Sequence, residues 1–251
     1  MTSRTVFQAF AEAVQKDRPV ALATVLASDA ETHPVGAKAL MDRSGTVLEG
    51  TLGSDELEKL AGERTRTLFA ERSSGTLQVE GTRVFLEVHL PPPRLVIVGA
   101  VHIAITLGRI ARELGFRVVV CDARDRFATP DRFPDADELI LGWPNEVLPR
   151  LALDEFSHVV VITHDAKFDN PALIAALESP APYVGALGSS RTHARRVEAL
   201  REAGVSEADI ARIHAPIGLD IGARTPQEIA LATMAEIVAV RNQAVPGDGS
   251  S

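Results

Sequence analysis

Leu95-Val96-Ile97-Val98-Gly99-Ala100-Val101-His102-Ile103-Ala104 reads as a strand, a sharp turn and the opening of a helix. Four consecutive apolar residues suit a parallel strand covered on both faces. A glycine then turns the chain into a helical stretch that reaches Leu114, where Gly115 supplies a left-handed stop. Downstream the rhythm repeats. Val118-Val119-Val120, the weaker Leu139 to Leu141, Val159-Val160-Val161-Ile162 and Pro182 to Leu187 read as strands, with helical stretches between them. Thr225, Pro226 and Glu228 announce the last helix as N-cap, first-turn proline and capping-box partner. Alternating strands and helices imply an α/β fold, a Rossmann-like doubly wound parallel sheet over residues 94–242.

Upstream the pattern differs. Pro91-Pro92-Pro93 can continue neither helix nor strand and reads as a stiff linker. Residues 1–90 then form a smaller α+β domain. Val6, Phe7, Phe10 and Val14 recur at helical spacing, and Val20 to Leu26 is an apolar run. Ala37 to Met41 and Thr46 to Glu49 flank the turn residues Ser44-Gly45. Asp55 opens a helix with Glu58 as its capping-box partner, and Leu77 to Glu80 and Arg83 to Leu90 make a hairpin near Gly81. The small polar stretch 243–251 reads as a disordered tail.

The bulk numbers exclude several classes. The 251 residues hold 45% hydrophobic and 24% charged side chains, an ordinary globular balance. A net charge of -8 leaves no basic field for nucleic acid or anionic lipid. The apolar stretch Leu95 to Leu107 is too short to span a membrane and is interrupted by Gly99 and His102. One cysteine, Cys121, allows neither an internal disulfide nor a CxxC zinc site, and no close-spaced histidine pair suggests a metal. These absences point to a reducing cytoplasm. Cys121 follows three valines at a strand end, as a buried, inert thiol would.

In a doubly wound sheet, ligands meet the residues just beyond the strands' carboxyl ends. Gly99 and Ala104 match the outer positions of the dinucleotide fingerprint, but Val101 stands where the second glycine would admit a pyrophosphate. Asp122, ending the next strand, could accept from a ribose hydroxyl, and Arg124 could meet a phosphate; alternatively, Gly99 is a plain turn and Asp122 a loop carboxylate. Val101 disfavours NAD(P). Thr163-His164-Asp165, with Asp169 close by, could carry a proton or hold a metal, or could be a hydrogen-bonded loop. Gly188-Ser189-Ser190-Arg191, with Arg195 one turn on, offers N–H groups, hydroxyls and cations to an anion. The alternative is a solvated basic face paired with Glu198 and Glu202. In His214-Ala215-Pro216-Ile217-Gly218-Leu219-Asp220-Ile221-Gly222, His214 and Asp220 are candidate contacts, with a purely structural loop as the alternative.

Taken in order, Gly99 to Ala104, Thr163-His164-Asp165, Tyr183 to Ser189 and Pro216 through Glu228 resemble the XdhC/CoxI family of accessory proteins for xanthine dehydrogenase and carbon monoxide dehydrogenase. The resemblance implies a non-catalytic chaperone that binds molybdenum cofactor and delivers it, in sulfurated form, to a molybdenum hydroxylase. That cargo is a pterin carrying a phosphate, a dithiolene and a molybdenum–oxo group. On this reading Gly188, Ser189, Ser190, Arg191 and Arg195 hold the phosphate end. Gly99, His102, Asp122, His164 and Asp165 line the pterin or metal side, and Ala100, Arg124, His214 and Gly218 are further expected cofactor contacts. The resemblance carries Gly36, Lys38, Gly50, Thr51 and Gly53 over as contacts from the leading domain, although Ser54 and Asp55 stand where the family has further glycines. It implies a homodimer; because a buried Cys121 cannot carry persulfide, a separate cysteine desulfurase is expected as the sulfur source. The competing readings are an NAD(P)-dependent oxidoreductase and a module binding an ordinary nucleotide.

Overall fold

A computed structural model describes residues 3–243, so the expected tail lies, from residue 244 on, outside the described residues. The chain divides into two compact units, one running to Pro91 and the other from Pro92 to Asn242.

In the first unit, α1 (Ser3–Gln15) precedes strands β1 (Val20–Ala27), β2 (Lys38–Met41) and β3 (Val47–Gly50). Helix α2 (Asp55–Ala70) and strands β4 (Gly75–Val79) and β5 (Thr82–His89) complete it. The strands form one antiparallel sheet in the order β3-β2-β1-β5-β4. Central β1 shows why both faces are covered. Its Val20 and Leu22 pack in the cluster that holds Val6 and Ala13 of α1, while Ala23 and Val25 pack in the one that holds Leu57, Ala61 and Leu68 of α2. Alternate residues of a strand point to opposite faces, so an apolar run serves two layers. The β4–β5 hairpin closes on Glu80 and Gly81, both with positive φ (42° and 78°), the pair a two-residue type I′ turn demands.

Two local expectations are corrected. Phe7, placed in the apolar stripe of α1, is 59% exposed while its neighbour Val6 is buried. The cap of α2 is Ser54, whose hydroxyl accepts from the Leu57 N–H, and not Asp55. Glu58 therefore lies one residue too far along for a capping box. Its carboxylate turns back to the preceding loop, accepting from Thr51 Oγ1 (2.5 Å) and the Leu52 N–H (2.9 Å).

The second unit begins with β6 (Arg94–Val98), α3 (His102–Glu113), β7 (Arg117–Asp122) and β8 (Glu138–Leu141). It continues through α4 (Pro144–Arg150), β9 (Ser157–Val161), α5 (Ala166–Leu177) and β10 (Tyr183–Ala186). Helices α6 (Ser190–Glu202) and α7 (Glu207–Ile210), the short β11 (Ile213–His214) and α8 (Pro226–Gln243) finish it. Six parallel strands lie in the order β11-β10-β9-β6-β7-β8. Chain order reverses between β6 and β9, which makes this a doubly wound sheet. Leu95 and Ile97 face the layer containing α3 and α8, whereas Val96 and Val98 face that of α4, α5 and α6. All four are fully buried, each contributing roughly 1.5–3 kcal/mol of apolar transfer. Thr225 and Glu228 cap α8 reciprocally, as their spacing predicts.

Among the described residues, no helix is long and apolar enough to cross a membrane, and no group of three or more His, Cys, Asp or Glu could hold a metal ion.

Candidate functional site

The turn after β6 is fastened from inside. Gly99 has φ +115°, and a Cβ there would lie 2.9 Å from the Thr163 backbone nitrogen, so the loops after β6 and β9 touch at the point where strand order reverses. The Ala100 N–H donates to Asp122 Oδ2 at 2.8 Å. Arg124 adds three donors to the same carboxylate: its N–H at 2.9 Å, Nε at 2.8 Å and Nη2 at 2.8 Å. Four donors fill the roughly four acceptor positions of a carboxylate. Asp122 is only 2% exposed. Burial pushes its pKa up, but the bonds from Arg124 and Ala100 outweigh that and hold it below the ordinary aspartate value.

Asp122, expected to be open to a ribose hydroxyl, is therefore saturated by its own chain. Arg124 is committed to it and lies over the Phe127 ring at 4.5 Å. Val101 caps α3 without a side-chain bond, and His102 is exposed on the first turn. Cys121, beside Asp122, is fully buried. Burial first, then the neighbouring charge, pushes its thiol up to about 12, so no thiolate forms near neutral pH.

Open space lies instead on either side of the turn that follows β10. One cavity of about 490 Å³ is lined by His164, Asp169, Ser189, Thr192, Arg195 and Arg196, among others. His164 holds a left-handed backbone (φ 66°) at the end of β9, with its side chain exposed. Asp165 is not in this lining; it caps α5, accepting from the Lys167 N–H at 3.0 Å. Beneath the cavity, Thr163 Oγ1 donates to Asp169 Oδ1 at 2.5 Å. Arg196 Nη2 donates to Asp169 Oδ2 at 3.3 Å and to the Leu187 carbonyl at 3.0 Å. Burial raises the Asp169 carboxyl above its ordinary value, and Thr163 and Arg196 offset only part of that. Ser189 caps α6 through the Thr192 N–H. Ser190 and Arg191 are exposed and absent from the lining, while Arg195 belongs to it.

A second cavity, of about 530 Å³, shares Leu187 and Gly188 with the first and is bounded by residues 216–223, Ile229 and Ala232. Its lining is mainly apolar. The loop that forms it is pinned to Glu236 of α8. Glu236 Oε2 accepts from Tyr183 Oη (2.5 Å) and the Gly218 N–H (2.8 Å), and Oε1 lies 3.1 Å from His214 Nδ1. Burial opposes the charge on Glu236, but those three partners keep its carboxyl below the ordinary range. His214 also stacks on the Tyr183 ring at 4.5 Å, so it supports the cavity wall without entering the lining. Gly218 (φ +90°) lies so close to α8 that a Cβ would be 2.9 Å from the Thr233 nitrogen. Asp220 lies on the cavity.

The remaining expected contacts belong to the first unit. Lys38 Nζ donates to Thr24 Oγ1 at 2.9 Å, and Thr51 Oγ1 bridges the Gly53 N–H and Glu58. A Cβ on Gly50 or Gly53 would collide with the Lys38 or Thr32 carbonyl oxygen, so packing alone requires both glycines. Gly36 (φ +87°) is exposed, with open space around it.

Arg196 and Glu236 were not singled out in the sequence. Arg196 stands beside Arg195, and only the helix phase tells which one turns inward. Glu236 sits mid-helix with no motif around it.

Residues 95–237 match the family model described as the XdhC Rossmann domain, and residues 13–80 that of the XdhC and CoxI family. "Uncharacterized protein YqeB" of Escherichia coli (strain K12) is 33% identical over 261 residues, covering 96% of this chain and 47% of that protein. A Bacillus subtilis (strain 168) protein, named as one subunit of a probable xanthine dehydrogenase, is 30% identical over 177 residues, 69% of this chain and 52% of that one. "Molybdenum cofactor insertion chaperone PaoD" of E. coli (strain K12) is 39% identical over 89 residues, 36% of this chain and 28% of PaoD. The chain thus spans about half the length of the first two and less of the third. A crystal structure described as that of a xanthine dehydrogenase from Bacillus halodurans shares the fold, with TM-score 0.57 and 20% identity over 100% of this chain and 98% of that one.

Proposed function

This chain belongs to the XdhC and CoxI family, and from that premise we propose that it is a maturation factor that carries molybdenum cofactor to a molybdenum hydroxylase of the xanthine dehydrogenase or carbon monoxide dehydrogenase type. The names of two relatives, a cofactor-insertion chaperone and a component of a probable xanthine dehydrogenase, support the reading. The observation that carries it is the pair of cavities meeting at Gly188, one edged by cations and hydroxyls, the other largely apolar. Each falls in the roughly 300–1,000 Å³ range of small-molecule sites. An anionic group on a flat ring system needs such a two-sided host.

The chain's own part is to bind, orient and shield. The first turn of α6, with Ser189 and Arg195, suits the phosphate end. The loop pinned to Glu236 gives the ring a fixed apolar wall. Cys121 takes no part in sulfur chemistry, because a carrier of persulfide must be an accessible thiolate. Sulfur is then supplied by a separate cysteine desulfurase. A dinucleotide hydride carrier fits less well, since Val101 stands where the fingerprint's second glycine would let a pyrophosphate approach, and Asp122 has no acceptor position to spare.

The test is purification of the chain from a molybdate-replete host, with molybdenum analysis and fluorescence of the oxidised pterin. The expected result is metal and pterin in equal amounts. A folded chain that emerges with neither, or with a nicotinamide nucleotide in their place, overturns the proposal.

A further inference from the structure

Within the first cavity, one polar side chain is left unfinished by its own chain. Arg196 lies on the second turn of α6 with its side chain only 4% exposed. Nη2 is committed to the Leu187 carbonyl and Asp169, but Nη1 is equally buried and has no partner. A guanidinium cannot shed its proton to escape that situation, so a buried, unused N–H pair is costly until an acceptor arrives. Arg196 lines the cavity together with Arg195, Ser189 and Thr192; the Thr192 N–H already donates to Ser189 Oγ, and the two hydroxyls lie 3.0 Å apart, so one hydroxyl proton of that pair is left to spare.

We propose that Arg196 Nη1 is the buried anchor for a phosphate group, bound at the N-terminal end of α6 with Arg195 at its rim. The inference rests on, and deepens, the reading of this cavity as the cargo site. A phosphoryl group is the class that fits because donors arrive from three sources: the buried Nη1, Arg195 and the spare proton of the Ser189–Thr192 hydroxyl pair. Three terminal oxygens answer them, whereas a carboxylate has two. Asp169 also lines the cavity, yet Thr163 and Arg196 engage its oxygens, so it is a positioning residue that fixes the guanidinium plane. Arg191, exposed and off the cavity, is not part of the site.

The experiment is titration of the full chain with inorganic phosphate, followed by calorimetry and by the guanidinium resonances of nitrogen-15-labelled arginine. The Arg196 signal should move on binding. Arg196→Lys keeps the charge but loses the planar fork, and should weaken phosphate at least about tenfold. Arg195→Met should cost less. Because the Arg196 change removes a buried brace, affinities are compared at a temperature where thermal melts show both chains folded, and the wild-type resonance shift needs no variant. No phosphate uptake by the wild type at millimolar concentration overturns the site, as does a still Arg196 signal with unchanged affinity in Arg196→Lys. The two readings fail separately. Arg196-dependent phosphate binding in a chain that never carries pterin would sink the cargo and leave the site standing. Pterin held equally by wild type and Arg196→Lys would do the reverse.

Discussion

Asp122 shows how much one side chain can be asked to hold. Its oxygens join the Gly99–Ala100 turn to Arg124, three of the four donors belonging to one residue. Asp122→Asn keeps the shape but leaves Arg124 without its charge partner and sets an amide N–H₂ against donors. A loss of about 3 kcal/mol is expected, the low end for a broken buried pair because Arg124 keeps a quarter of its side chain in water. Denaturant midpoints at pH 7 check it. The folded-state pKa of Asp122 is depressed, so its contribution is complete above the unfolded value near 3.9 and disappears as pH falls through the lower, folded one. Wild type should therefore lose its advantage over Asp122→Asn as acid is added, and an undiminished gap at pH 2–3 would refute the assignment.

Helix and strand boundaries repay the same scrutiny. Ser54 caps α2, so Ser54→Ala should cost about 1 kcal/mol in thermal melts, while Asp55→Ala should cost a few tenths through the helix dipole. Equal losses would restore Asp55 as the cap. The element order was readable beforehand because fully apolar runs such as 95–98 admit few interpretations, and the Thr225–Glu228 box stands on an unambiguous proline. At α2 two good capping residues stand side by side, and the sequence cannot choose between them. At α1 the periodicity admits Phe7 as readily as Val6, and only the sheet beneath decides which is covered. The site was half legible for the same reason. A Gly-Ser turn at a helix start advertises anion binding, but the identity of the inward arginine depends on helix phase, and saturation of Asp122 depends on a neighbour two residues away that folds back onto it.

Across the whole molecule, the net charge of -8 means that anions approach against the mean field and must be won by local geometry. The single thiol offers a reporter at this scale. Cys121 lies in β7, within the six-stranded sheet and under the α4–α5–α6 layer, so exposing it requires the second unit to open as a whole. Aromatic disulfide reagents should leave the native chain unlabelled for hours and label it fully in denaturant, with a rate that follows unfolding. Rapid native labelling would contradict the buried placement and revive the thiol as a sulfur carrier.

The contact of Gly99 with Thr163 ties distant positions into one mechanical chain. Thr163 steadies Asp169, and Asp169 steadies Arg196, so a side chain introduced at 99 would be transmitted by displacement to the guanidinium more than ninety residues on. Replacements at 99, 163, 169 and 196 should consequently be tolerated in concert and rejected singly, and a double-mutant cycle across any adjacent pair would register the dependence as non-additivity.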